Sequence, residues 1–332
     1  MEDFEKVDLK KVIEEDCKEY FKNTKKELKI PNPVLPYILF GIGFFGTIIF
    51  IALAEDLKSL GYLYPIILSL IILSGVIGAI FLSIYYSKKK KFRNSLKENF
   101  NMVKYFNIEL SNITQGYIKN MRIADTYKLG IFKVEAFVKG VETTGASFVN
   151  FNLEDQGFSY GVVNSRTLVT VSKNNQRIYN YYTQTFMVAN FEYDVVEAPI
   201  NFYYSKSPFF KEKGIEKIEL ESNDFNKQTN VYSTNQILSR KFLSPKKMNN
   251  LLDFNKNKDQ VGVKYLFMDR NSIFMEVLNR AIVHKDTYII WELPPGNNIK
   301  TISNEIYKKV TSESKDIFST LKYIQTLEVF PD

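Results

Sequence analysis

The residues best suited to catalysis form a G-x-S-x-G motif at residues 157–161, with Ser159 at its centre. In α/β hydrolases this spacing places a nucleophilic serine on a sharp turn between a strand and a helix. Asp269 and His284 follow in the chain order Ser, Asp, His that these enzymes use for their catalytic triad. A strand-like sequence follows the motif where a helix is required, so we interpret the motif as a β-turn and keep the triad as an alternative.

Phosphate and metal chemistry have less support in the sequence. Residues 140–147 read G-V-E-T-T-G-A-S, which is similar to a phosphate-binding P-loop, but Ala146 stands where the lysine that contacts phosphate is required. We therefore predict a hairpin turn at Gly140. His284 is the sole histidine and Cys17 the sole cysteine, so a zinc or iron site would consist of carboxylates, which is unusual. We predict no metal and no cofactor.

Two apolar stretches near the N-terminus, residues 34–54 and 60–86, contain no charged residue. At about 1.5 Å per residue, the first would rise roughly 30 Å as a helix, which is the thickness of the hydrocarbon core of a bilayer. The second is long enough to cross with a tilt. Small residues spaced four apart would let the two helices approach closely: Gly43 with Thr47, Ser74 with Gly78, and Gly75 with Ala79.

Basic residues flank the two stretches and are nearly missing from the loop between them, which holds Lys58 beside two acidic residues. By the positive-inside rule, this predicts a multi-pass protein of the cell membrane with both termini in the cytoplasm. The second stretch is followed by a group that we call the juxtamembrane basic cluster: Lys88, Lys89, Lys90, Lys91 and Arg93. Such a cluster attracts anionic lipid head groups.

The net charge of +7 lies mainly in residues 88–97, rather than along the globular part of the chain. Nucleic-acid-binding proteins carry a basic stripe on the domain that contacts the nucleic acid. We therefore predict that the partners are the lipid bilayer, its anionic head groups and a protein at the inner membrane face, and that nucleic acid is not a partner.

Short runs of aromatic and β-branched residues, separated by turn-forming residues, begin near residue 115 and predict strands. The predicted strands are 131–138, 158–163, 167–172, 177–181, 183–193, 200–204, 217–222, 229–232, 261–268, 273–277 and 288–293. Helices are predicted at 235–242, after Ser244 as N-cap and Pro245 as first helical residue, and over about 298–327.

These elements predict an α+β fold: an N-terminal two-helix transmembrane hairpin, then a cytoplasmic, mainly antiparallel β domain with C-terminal helices. We divide the chain into a cytoplasmic amphipathic segment, the two-span hairpin, a basic amphipathic connector helix and the cytoplasmic α+β domain, at residues 1–33, 34–87, 88–114 and 115–332.

Residues 220–252 resemble a known family. They read L-E-S-N-D-F-N at 220–226 and V-Y-S at 231–233, followed by the helix that Ser244-Pro245 opens. This pattern is similar to that of the bacterial domain-of-unknown-function 3137 family, although Thr229 stands where that family has an aromatic residue. The resemblance implies a membrane-anchored protein of no established activity, and it assigns no catalytic residues.

We predict from these observations a membrane-anchored, cytoplasm-facing binding or scaffold protein, and not an enzyme. The alternative is a membrane-tethered, hydrolase-like enzyme that uses Ser159, Asp269 and His284. A transporter subunit is a third class, with less support because neither apolar stretch carries an ionisable residue.

Overall fold

The structure is a computed structural model that describes residues 5–24, 34–53, 61–124, 140, 142–153, 156–171, 177–204, 215–257, 260–278 and 299–330. The chain forms two compact units. We call Glu15–Asn101 the hairpin unit, and Met1–Glu14 together with Met102–Asp332 the sheet unit. Helix α1, Leu9–Thr24, begins in the sheet unit and ends in the hairpin unit.

The hairpin unit is built on two long apolar helices, α2 at Val34–Ala52 and α3 at Leu63–Asn99. They run antiparallel, because Gly43 lies against Gly75 while Gly78 lies against Phe40. A Cβ atom added to Gly43 would come within 2.1 Å of the Cα atom of Gly75. The small residues therefore permit a backbone contact between the helices, as their spacing predicts.

The predicted connector, residues 88–114, is made of two helices in the structure. Helix α3 continues without a break from the apolar stretch through the lysines to Asn99, and α4 follows at Met102–Thr114. The two compact units divide between these helices, after Asn101.

The sheet unit contains an antiparallel sheet in which the nine described strands have the order β1-β2-β3-β4-β9-β8-β5-β7-β6. The strands in chain order are Ile118–Ala124, Glu142–Leu153, Gln156–Val171, Arg177–Asn190, Ile200–Tyr203, Glu216–Ile218, Asn230–Ser233, Gly262–Asp269 and Ser272–Leu278. Together with the helices, this sheet confirms the predicted α+β class.

Among the described residues, four further helices belong to the sheet unit: α5 at Asn223–Gln228, α6 at Gln236–Phe242, α7 at Pro245–Lys256 and α8 at Ile299–Thr326. Helix α8 packs against α4 and α7. It buries the apolar stripe that the helical period predicts: Ile302, Ile306, Val310, Ile317, Leu321 and Ile324.

An aromatic core crosses the sheet on one of its faces. The ring of Tyr265 lies 4.7 Å from that of Tyr203 and 6.4 Å from that of Phe274, which in turn lies 5.0 Å from Phe186. Phe148 on β2 belongs to the same buried cluster. The aromatic content of the predicted strands is therefore used, at least here, for packing within the sheet.

Strands β3 and β4 each join two predicted strands, which for β4 are 177–181 and 183–193, and two other strands were not predicted. The predicted strands 158–163 and 167–172 belong to the single strand β3, because the polar residues between them pair with β4. Asn164 is buried and accepts a hydrogen bond from the hydroxyl of Thr183 at 3.0 Å. Strands β1 and β2 lack clear alternation and were missed. The predicted strands 131–138 and 288–293 lie outside the described residues.

Candidate functional site

Ser159 lies in the middle of a continuous strand. The motif at 157–161 is part of β3, opposite β2 on one side and β4 on the other, so it is neither a β-turn nor a strand-to-helix elbow. The side chain of Ser159 is buried and donates its hydroxyl hydrogen to Oδ1 of Asn150 at 2.7 Å. Gly161 faces the ring of Phe148 directly across the strand pair.

The described residues do not bring the predicted triad together. Asp269 lies at the end of β8, where its carboxylate accepts a hydrogen bond from the backbone N–H of Arg270 at 3.0 Å. Strands β4 and β9 separate it from Ser159, which places three strand spacings, roughly 14 Å, between the two residues. His284 lies outside the described residues.

The sheet unit contains an open groove of about 600 Å³ between the end of α4, the end of β2 and the last turns of α8. This volume lies within the range of ligand pockets. Its walls are apolar and come from distant parts of the chain: Ile113, Leu153, Phe318, Leu321 and Phe330. We call this the α4–α8 groove.

Exposed polar groups line the rim of the α4–α8 groove: Gln115, Tyr117, Gln325 and Glu328. Tyr117 is 51% exposed, so its ring is available for contact. Lys246 binds the carboxylate of Glu328 at 2.6 Å, and this hydrogen bond lowers the pKa of Glu328 below its ordinary value. The rim therefore carries a charge pair beside an aromatic ring.

The C-terminal tail that closes one wall is attached to the sheet. The hydroxyl of Tyr193 donates to the carbonyl of Val329 at 3.0 Å. The ring of Phe330 lies 5.9 Å from that of Phe191 and 6.3 Å from that of Phe158. These contacts hold Phe330 in the wall of the groove.

Helix α4 ends at the rim of the groove in a Schellman motif. The N–H of Gly116 donates to the carbonyl of Ser111 at 2.9 Å, and Gln115 has a φ of 52°, in the left-handed region. Glycine is the residue usually found at this position, because any Cβ atom raises the energy of the left-handed conformation. Gln115 therefore keeps an unfavourable backbone conformation on the rim.

We expect Gln115→Gly to raise the free energy of unfolding by about 0.5–1 kcal/mol, since it removes the Cβ atom from a left-handed residue. Chemical denaturation followed by circular dichroism would measure the change. The matched control is Lys315→Gly at an exposed position inside α8, which should lower the same quantity by about 1 kcal/mol. A loss of stability in both variants would contradict the prediction.

The juxtamembrane basic cluster lies on α3. Lys88, Lys89, Lys90 and Lys91 are all exposed, and Nζ of Lys89 lies 5.8 Å from the centre of the Tyr85 ring. The side chain of Arg93 is outside the described part of the chain.

Aromatic residues mark both ends of the apolar part of the hairpin unit, a signal that sequence reasoning missed. At one end the hydroxyls of Tyr37 and Tyr86 are hydrogen-bonded, and at the other the ring of Tyr64 lies 4.9 Å from that of Phe50. Tyr64 and Tyr86 are separated by roughly 33 Å along α3, at about 1.5 Å per residue. This matches the spacing of the aromatic belts that flank a bilayer core.

The apolar side chains of α2 and α3 are mostly exposed. In the most apolar part of each helix, only 17% of the residues of α2 and 6% of those of α3 are buried. Leu35, Phe45 and Leu70 are each at least 60% exposed. Core helices of soluble proteins bury such side chains, whereas membrane-spanning helices present them to lipid.

The family-like motif at residues 220–252 has a structural role in the sheet unit. The side-chain Nδ2 of Asn226 donates to the carbonyl of Leu220 at 2.7 Å, and Oδ1 of Asn226 accepts from the backbone N–H of Leu220 at 3.2 Å. Ser222 caps α5, and Phe225 is completely buried. Ser244 caps α7 through the N–H of Lys247. The motif therefore fixes the backbone at Leu220 and the first turns of α5 and α7.

The part of the chain that the structure describes contains no group of side chains that could bind a metal ion. No three His, Cys, Asp or Glu side chains there lie close enough to hold a metal ion.

The fold and these sites define a class: membrane-associated α+β proteins with two helices long and apolar enough to cross a bilayer, and an antiparallel sheet unit. Residues 171–310 match the family model described as "Protein of unknown function (DUF3137)". This match supports the family resemblance that residues 220–252 predict.

Other comparisons add little. No curated protein matches the chain. The crystal structure of the mycobacterial trehalose monomycolate transport factor A is similar over 69% of this chain and 96% of its own, with 10% sequence identity and a TM-score of 0.32. At that score the likeness carries no argument about fold or function.

Proposed function

We propose that this chain is a membrane-anchored binding protein whose α4–α8 groove takes an apolar segment of a partner protein. The observation that carries the proposal is the combination of apolar walls with an exposed, partly aromatic rim. Protein interfaces commonly have this anatomy, in which an apolar centre is surrounded by polar groups and tyrosine is enriched.

The two apolar helices provide the anchor. Their lengths, their exposed apolar side chains and the aromatic residues at both ends support a hairpin that crosses the bilayer. The juxtamembrane basic cluster supports contact with anionic head groups, and the distribution of lysines supports cytoplasmic termini in the cell membrane. The partner is then a protein at the inner membrane face.

The test is site-specific photo-crosslinking of the full-length protein in cells. A photo-reactive amino acid replaces Tyr117 on the rim, and Ile237 on α6, which is 80% exposed and does not line the groove, serves as the matched control. We expect one abundant protein to be crosslinked from position 117 and not from position 237. Equal crosslinking from both positions, or none from position 117, would contradict the proposal.

A second step uses the partner protein that crosslinking identifies, purified on its own. Its affinity is measured for two variants of the full-length chain in nanodiscs. Gln325→Trp fills the groove from an exposed helix position, and Ile237→Trp is the control. We expect about tenfold weaker binding for Gln325→Trp and no change for Ile237→Trp. The same affinity for both variants would show that the partner binds elsewhere.

A further inference from the structure

A second exposed surface lies at the far end of the hairpin formed by β3 and β4. The central residues of these strands are buried, whereas their distal ends, Thr167–Val171 and Arg177–Tyr181, are mostly exposed. We call these ends the arm tip. It carries five large apolar side chains, each between 46% and 55% exposed: Leu168, Val169, Val171, Ile178 and Tyr181.

The apolar side chains of the arm tip lie on both faces of the ribbon that β3 and β4 form there among the described residues. Leu168 pairs with Tyr179, Thr170 pairs with Ile178, and the register shifts between Leu168 and Thr170, so that Val169 is an extra residue in the ladder. Successive residues of a strand point to opposite faces. A protein partner that docks on one face would leave the other exposed, whereas a lipid surface surrounds an inserted tip on both faces.

The segment of the chain that contains the arm tip carries basic residues and no acidic ones. Between residues 157 and 191 the sequence contains no Asp or Glu, and it contains Arg166, Lys173 and Arg177. Arg166 binds Glu142 of the neighbouring strand at 2.6 Å, and its guanidinium lies 4.3 Å from the centre of the Tyr179 ring. Arg177 is the exposed first residue of β4. Because Glu142 offsets the charge of Arg166, the described charge that is complementary to an anionic surface is that of Arg177.

We propose that the arm tip inserts its apolar side chains into the interface of an anionic lipid bilayer. Exposed apolar groups next to cationic side chains are the combination by which peripheral segments bind such interfaces. The arm is thus a lipid contact in addition to the two apolar helices and the juxtamembrane basic cluster. This inference does not depend on the α4–α8 groove or its partner.

The test uses the full-length protein, labelled at one cysteine and reconstituted in proteoliposomes. Cys17 is buried, so Val169→Cys offers an exposed thiol for an environment-sensitive fluorophore. The same label on Ile237→Cys is the matched control, and unmodified protein measures any labelling of Cys17. Bromine-carrying lipids then quench those fluorophores that lie in the bilayer interface.

We expect label 169, but not label 237, to be quenched in vesicles of equal parts phosphatidylcholine and phosphatidylglycerol. Quenching at position 169 should fall about threefold in phosphatidylcholine alone, at high salt, or in the variant Arg177→Gln. Circular dichroism checks that the labelled proteins keep the fold of the unlabelled chain.

Three outcomes would overturn the proposal. Equal quenching at positions 169 and 237 would mean that the arm has no specific contact with lipid. Quenching at 169 that is indifferent to lipid charge would exclude an anionic surface as the partner. A fluorescence change that follows protein density rather than lipid composition would assign the arm tip to a second copy of the chain.

Discussion

Replacing Gly43 with leucine is expected to force α2 and α3 apart and to cost about 3 kcal/mol of the free energy of unfolding in detergent. A Cβ atom at this position would lie 2.1 Å from the Cα atom and 2.3 Å from the nitrogen of Gly75. Both are backbone atoms of a long helix, so no side-chain rotation relieves the overlap. Denaturation of the helical signal in mixed detergent would measure the loss.

The control for this prediction lies two residues away in the same helix. A Cβ atom at Gly41 would have no heavy atom within 4 Å, so the side chain of Gly41→Leu begins in open space. We expect this variant to unfold like the original protein, or to be slightly more stable because leucine has the higher helix propensity. If the two variants lost equal stability, the close contact between the helices would be wrong.

Replacing Gly161 with alanine is expected to lower the stability of the sheet unit by about 2–3 kcal/mol. The added Cβ atom would lie 2.2 Å from Cδ1 of Phe148 and 2.5 Å from the backbone oxygen of Ser147. The Phe148 side chain is only 1% exposed and belongs to the aromatic core, so it has no free space into which to move. Thermal unfolding of the full-length protein, followed by the strand signal, would report the change.

Gly157 provides the matched control at the other end of the same motif. It also lies in β3, but a Cβ atom there would meet nothing within 4 Å. We expect Gly157→Ala to leave the unfolding temperature unchanged within a degree or two, because alanine fits an extended strand without a clash. Equal destabilisation by both substitutions would show that Gly161 is not required for the packing of Phe148.

Two of the three residues that define the G-x-S-x-G motif have a physical role in the sheet. Gly161 leaves space for an aromatic ring from the opposing strand, and Ser159 pairs with Asn150 on that same strand. The serine and the second glycine of a motif that predicts an exposed nucleophile in one fold serve β-strand packing in this one. The two folds differ in the element after the motif, because hydrolases continue into a helix whereas this chain continues along β3 to Val171.

Much of the fold could be predicted because it depends on local patterns. The length of α2 and the apolar part of α3 follow from uninterrupted apolar residues, and the stripe on α8 follows from its helical period. The starts of α6 and α7 follow from Asn235 and Ser244, whose side chains accept hydrogen bonds from the first-turn N–H groups of those helices. In each case the determining residues are neighbours in the chain.

Other features could not be predicted because they depend on pairing between distant segments. Polar residues such as Asn164 interrupt the apolar pattern of β3, yet a hydrogen bond from Thr183 satisfies that side chain inside the sheet. Gln115 gives no sequence signal for a left-handed conformation, which results from the way α4 ends.

The sequence by itself determined the two apolar helices, the basic cluster beside them, the α+β class and the family motif, since hydropathy, charge and capping act over a few residues. Only the tertiary structure decided the strand order, the α4–α8 groove and the exposed arm tip. The walls of the groove unite Ile113, Leu153, Phe318 and Phe330, which are far apart in the chain. Their proximity results from the order in which strands and helices pack, and no local pattern records that order.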